Sequence, residues 1–355
     1  MKANKTKSPS PTTSRTTGGS LRRLSALAQQ MTEQGKFGEA VATIEQLFAT
    51  ATPQDEGSRR FLAQSRKSYL ACQRELARQN HPAGAHAAAA LLAETEKQAG
   101  YPIRVTFEDD DLGVEMAWGE GRDHHLVVCR GEPEELVPYE LAGGLLRIQS
   151  ESEALLLGKS RFPTVSRRQI DGLLSLFDPE EAERLAAEGG LWITLNPDPD
   201  EIALDPLRRL FASAPYMLID ARLRRRFPVL RPAQFLSRSA GFRDNWQSRK
   251  NRTEIPPAQR LRERVVTALD GLDGLYLDWL FGGVTDFATR YYDLDGFDLA
   301  QKLWQHWQTR FPAMQPGDEF ATLDDFAGIL GLSCYFEWVT VPFEAGGHAG
   351  PPGGR

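Results

Sequence analysis

Glu140 stands in the segment Tyr139-Glu140-Leu141-Ala142-Gly143, where Leu136, Leu141, Leu145 and Ile148 recur at helical spacing. Positions i and i+4 of a helix lie on one face. Two imidazoles at that spacing share a zinc ion, and a glutamate beside the first polarises the metal-bound water. Here a phenol and a glycine hold the two ligand positions. A phenol keeps its proton up to about pH 10 and binds zinc poorly at neutral pH. Glycine brings no donor. Tyr139, Glu140 and Gly143 therefore keep the glutamate of such a site and lack both of its metal ligands, which makes them at most vestigial candidates. A plain amphipathic helix, with Glu140 facing solvent and the four apolar residues facing the core, gives the same pattern and the same lack of zinc peptidase activity.

Other groups with chemistry are sparse. Glu151 and Glu153 follow on the same stretch and are weak metal candidates, because hard oxygen ligands without imidazole do not make a peptidase zinc site. His124 and His125 form the one histidine pair, but neighbours on a strand point to opposite faces. His81, His86, His306 and His348 are scattered. No cofactor is expected: there is no GxxxxGK[ST] phosphate loop, no GxGxxG after a strand and no GxSxG elbow. NPDPDEIALDPL (196–207) starts like a calcium loop but lacks its glycine and final glutamate. Cys72, Cys129 and Cys334 lie far apart and read as buried structural residues of a reducing cytoplasm.

A basic stretch is more pronounced. From Arg222 to Arg252 lie ten Lys and Arg residues, Arg224, Arg225 and Arg226 among them, with Phe235, Phe242 and Trp246 interleaved. Cations with stacking aromatics are a footprint of single-strand nucleic-acid binding. A solvated helix face, or a surface for an acidic partner, fits as well, since the whole chain carries a net charge of −6.

The elements that must position these groups follow from pattern. The chain of 355 residues is 41% hydrophobic and 25% charged, enough for a substantial core. No apolar run is long enough for a membrane span, and the basic N-terminus has no apolar segment behind it, so neither a membrane helix nor a signal peptide is expected. Residues 1–19 are Ser, Thr, Pro and Lys with little to bury and read as a disordered tail. From Leu21 a helical period runs to Met31, Gly35 breaks it, and Phe37, Ala40, Ile44 and Leu47 restart it. Two further helices, 57–79 and 83–98, are expected on either side of Asn80-His81-Pro82. At Tyr101 the period changes to alternation, and 103–107, 112–118 and 125–130 read as strands. Helices over 133–157 and 166–188 and a strand over 191–195 complete an α+β segment, 100–250. Helices over 205–228, 255–282, 284–293, 297–311 and 322–332 follow, with an aromatic set that core packing explains. The fold expected is α+β and predominantly α-helical, with a helical region over 251–342 and a flexible Gly/Pro tail over 343–355.

Two resemblances attach to these residues. The stretch from Leu21 to Pro53, with small residues at Ala28 and Ala40, Gly35 at the turn and an aromatic at Phe37, resembles a tetratricopeptide repeat, and residues 20–99 resemble a module of one good and one degenerate repeat. The strand HLVVCR, the loop after it and the Tyr139–Gly143 helix resemble small bacterial HExxH zinc metallopeptidases of the minigluzincin kind, across roughly residues 100–240. The resemblance implies a degenerate peptidase domain without either metal-binding histidine. It implies a cytoplasmic bacterial protein of interaction or regulation, with a role in stress response or defence, whose N-terminal module binds a protein or peptide. Two alternatives stay open: a metal-dependent hydrolase built on Glu140, Glu151 and Glu153, and nucleic-acid binding through Arg222–Arg252.

Overall fold

The computed structural model describes residues 14–51, 56–108, 113–117, 123–174, 199–250 and 260–340. Within these the chain is an α+β protein, predominantly helical, with two small sheets. The expectations placed on residues 1–13, the acidic turn 109–111, the second half of the helix over 166–188, the strand 191–195 and the tail 343–355 lie outside the described residues. Contacts divide the chain into two units, Met1–Leu76 with Phe281–Thr285, and Ala77–Leu280 with Asp286–Arg355.

In the first unit α1 (Ser14–Glu33) and α2 (Phe37–Thr50) form an antiparallel hairpin. Gly35 turns the chain between them at φ 73°, a left-handed conformation that a side chain would strain. Ala28 and Ala40 are almost fully buried, so small side chains let the two helices close on each other. Tyr69 donates its hydroxyl to Glu45 Oε1 at 2.9 Å and sits with Ile44, Leu47 and Cys72 in the core. α1 starts at Ser14, inside the stretch expected as a tail, because extending a formed helix costs far less than nucleating one.

The two helices expected over 57–79 and 83–98 are one: α3 runs unbroken from Glu56 to Ala99 with Pro82 inside it. The second repeat-like hairpin is therefore not formed. An internal proline costs about 3 kcal/mol, and local contacts offset it. Asn80 Nδ2 donates to the Val229 carbonyl at 3.1 Å, and Gly84 sits so close that a Cβ there would meet Leu230 Cδ2 at 2.9 Å. The alanines from Ala87 to Ala90 add the best helix former.

In the second unit β1 (Ile103–Phe107), β2 (Gly113–Glu115) and β3 (His125–Cys129) make a sheet in the order β1-β3-β2. β1 runs parallel to β3 and β2 antiparallel to it, with Val127 paired to Val105 and to Val114. Helix α4 (Val137–Leu156) lies on this sheet. Gly144 makes the contact possible, since a Cβ there would stand 2.6 Å from Val127 Cγ1 and 3.3 Å from Val114 Cγ2. Its neighbour Gly143 has a single heavy atom nearby, Leu223 Cδ1 at 3.8 Å. Adjacent glycines should thus answer alanine with opposite signs. Gly144→Ala is expected to cost about 1–3 kcal/mol by overpacking, and Gly143→Ala to add about 0.5–1 kcal/mol of helix stability. Urea midpoints of the two variants check this.

The chain continues through β4 (Arg161–Thr164), α5 (Arg167–Leu174), α6 (Pro199–Arg226), α7 (Arg231–Lys250), α8 (Arg260–Leu280), α9 (Phe297–Arg310), α10 (Asp318–Leu330) and β5 (Glu337–Thr340). β4 and β5 pair antiparallel, Phe162 opposite Val339. The helix expected over 284–293 is reduced to a 3-10 turn, Ala288–Tyr291. The Asp278 carboxylate takes the amides of Phe287 and Ala288 at 2.9 and 3.1 Å, which fixes a turn in place of a helix start. Of the expected aromatic core, Tyr291 and Trp307 are buried, whereas Trp279 is 45% exposed.

Candidate functional site

Glu140 does not face solvent. Its side chain is 2% exposed, which overturns the plain amphipathic reading of α4. The close approach of α4 to β3 sets it beside Arg130, the residue that follows β3. The Arg130 backbone N–H donates to Glu140 Oε2 at 3.0 Å. Its Nε and Nη2 donate to Oε1 at 3.0 and 2.6 Å. Both carboxylate oxygens are thereby engaged by one residue, and Arg130 Nη2 also reaches Ser237 Oγ at 3.4 Å.

Tyr139 points into a second polar group. Its hydroxyl donates to Asp220 Oδ1, on α6, at 3.0 Å. Burial, and then the Asp220 charge, push the phenol well above its ordinary range, so it stays a neutral donor. Gln234 of α7 donates to the same Asp220 oxygen at 3.1 Å and to the Asp220 carbonyl at 2.8 Å. Arg238 of α7 then bridges two carboxylates, with Nε 2.9 Å from Asp220 Oδ2 and Nη2 2.5 Å from Asp273 Oδ1 on α8. Burial works against the Arg238 charge, but Asp273 and Asp220 more than compensate and hold it protonated. Burial also raises Asp273, with Arg238 opposing. One polar network thus ties α4, α6, α7 and α8 together.

Arg130, Tyr139, Glu140, Asp220, Ser237 and Arg238 line a cavity of about 340 Å³. Val114, Val127, Ile219 and Leu223 give it apolar walls, Gly143 and Gly144 its floor along α4, and Arg130, Arg147, Arg238, Glu140 and Asp220 its charges. A second cavity of about 170 Å³ shares Tyr216 and Arg238 and is lined by Arg209, Asp270 and Asp273. Burial raises Asp270 to about 6, against the pull of Arg209 at 2.8 Å and Arg249 at 3.7 Å. A carboxyl whose folded value lies above its unfolded value binds an extra proton in the folded state, so its contribution to stability falls as pH rises from about 4 to 6. Asp270→Asn should flatten the wild-type dependence of the urea midpoint on pH across that window.

The remaining sequence candidates do not converge on Glu140. Glu151 accepts from Arg147 Nε at 3.1 Å, and Glu153 from Gln98 at 2.8 Å. His124 pairs with Asp123 at 2.5 Å. His125 is buried, accepts the Ala117 N–H on Nδ1 at 3.1 Å and is pushed down to about 4 by burial and then by His124, so it is neutral. Among the described residues no three or more His, Cys, Asp or Glu side chains gather as a metal site. Cys129 is buried and raised to about 12 by burial and then by Glu140, which leaves it a thiol. Cys72 is buried, but Cys334 is exposed, contrary to the structural role expected of it.

The basic stretch is divided. Arg224, Arg225 and Arg226 form the last turn of α6, where cations favour the helix C-terminus. Arg226 reaches Glu94 at 2.6 Å, the Arg224 carbonyl accepts from Arg231, and Arg225 is exposed. Arg238 and Arg249 face acids within the fold, and Phe242 stacks on Phe287 at 4.3 Å. The sequence reading missed Arg130, Asp220, Ser237, Arg238 and Asp273 as partners of the motif. Their one local signal is a charge among apolar neighbours, as for Asp220 after Leu218-Ile219 and Asp273 between Leu272 and Gly274.

The chain was compared with family models, with curated proteins and with solved structures. None matches. The geometry above is therefore what a functional reading has to rest on. Among the described residues no helix is long and apolar enough to cross a membrane.

Proposed function

We propose that this chain is a non-catalytic binding and regulatory protein, a pseudo-metallopeptidase whose motif helix has become a structural clamp. One observation carries the reading: both oxygens of Glu140 are bound by Arg130. A general base needs a free lone pair within reach of the proton it takes. Tyr139 at the first ligand position is committed to Asp220, and Gly143 at the second brings no donor. The α1–α2 hairpin, with Leu27 43% exposed, is the partner-binding module in this reading.

The hydrolase alternative needs Glu151 and Glu153 to turn towards Glu140, and their bonds to Arg147 and Gln98 oppose that. The nucleic-acid alternative needs a continuous cationic face, and the pairing of Arg226, Arg238 and Arg249 with acids opposes it. A peptide-library cleavage assay with added zinc or manganese tests the proposal, run on the wild type and on Glu140→Gln. No turnover above background in either protein is expected. Metal-dependent cleavage by the wild type that Glu140→Gln abolishes would establish the hydrolase instead.

A further inference from the structure

The 340 Å³ cavity beside the clamp has the composition of a ligand site: apolar walls with a few polar and charged groups. Its volume is at the small end of the range for such sites, roughly 300–1,000 Å³. Three guanidinium groups line it, from Arg130, Arg147 and Arg238, against two carboxylates, Glu140 and Asp220. Arg147 and Arg238 also pair with Glu151 and Asp273, neither of which lines the cavity. Each arginine keeps donors in reserve. Arg147 gives only Nε to Glu151, and among the described residues its Nη1 and Nη2 have no hydrogen-bond partner. Arg130 donates through Nε and Nη2, Arg238 donates through Nη2 to Asp273 and holds Nε beside Asp220, and among the described residues both leave Nη1 without a hydrogen-bond partner.

We infer that this cavity binds a small organic monocarboxylate, its carboxylate on the guanidinium groups and its apolar body against Val127, Ile219 and Leu223. A planar fork of N–H donors matches a carboxylate in two-point contact. Glu140 and Asp220 in the lining would repel a phosphate dianion more than a carboxylate monoanion. Gly143 keeps the space open: a side chain there would enter the cavity with only Leu223 near its Cβ. The inference extends the non-catalytic reading and can fail separately from it. Metal-dependent cleavage would overturn that reading and leave ligand binding as it was.

The test is calorimetric titration of the full chain with a panel of straight-chain and phenyl-substituted monocarboxylates. Each is run beside its neutral amide, and phenyl phosphate serves as the dianion. At least one carboxylate is expected to saturate, binding about tenfold or more tighter than its amide. Arg147→Gln should remove that preference, and Gly143→Leu should remove binding. Arg147→Gln stands alone if Gly143→Leu does not fold. No saturable carboxylate across the panel, equal binding of acid and amide, tighter binding of phenyl phosphate, or binding unchanged in Arg147→Gln would each overturn the inference.

Discussion

Arg238→Met is expected to destabilise the chain by about 3–5 kcal/mol, the range for removing one partner of a buried ion pair. Among the described residues Arg238 is the cation that pairs with both Asp220 and Asp273, and its removal leaves the buried Asp220 and the partly exposed Asp273 without it. The loss is large because Asp220 is already desolvated in the fold, at 4% exposed, and burial raises the partly exposed Asp273 even with Arg238 present. The deficit should depend on pH with a definite sign. Burial already raises the Asp273 carboxyl against the pull of Arg238, and without Arg238 that opposition is gone, so the folded chain holds a proton that an unfolded aspartate, at about 3.9, has released. The variant therefore recovers stability as pH falls from 7 towards 5. Urea unfolding of variant and wild type at both pH values gives the comparison, and a deficit equal at the two would show that charge burial is not its origin.

Arg130→Met is expected to cost about 2–4 kcal/mol, less than the full buried-pair figure because Arg130 is 35% exposed while Glu140 is 2% exposed. The cost arises from Glu140, which then stands buried with one backbone N–H in place of three contacts. Arg130→Met combined with Glu140→Met removes the stranded charge as well and should recover half or more of the loss. A double variant as unstable as the sum of the two single ones would mean that the two residues act independently and that no clamp exists.

The sequence made some of this legible and not the rest, for physical reasons. Local periodicity carried the α1–α2 hairpin, with Gly35 and the small pair Ala28 and Ala40, and carried the three strands and α4, because a period of 3.6 or 2 is written in adjacent residues. Pro82 misled, since proline reports the cost of a helix and not the contacts, here at Asn80 and Gly84, that outweigh it. The β4–β5 pair joins segments more than 170 residues apart through short strands, one with a proline, and leaves no period to read. The motif helix was visible, but not what holds it: Tyr139 and Asp220 are 81 positions apart, and Arg238 and Asp273 are 35 apart. Glu140 looked solvent-facing because a lone carboxylate on an apolar helix usually is, and its buried partner Arg130 lies on another element.

The most direct measurement is elemental analysis of the purified, tag-free chain for zinc, manganese and iron. Locked by Arg130 and flanked by a phenol and a glycine, Glu140 should hold no metal, and far less than one equivalent per chain is expected. Close to one equivalent of zinc, reduced in Glu140→Gln, would contradict the clamp and restore a metal centre at α4.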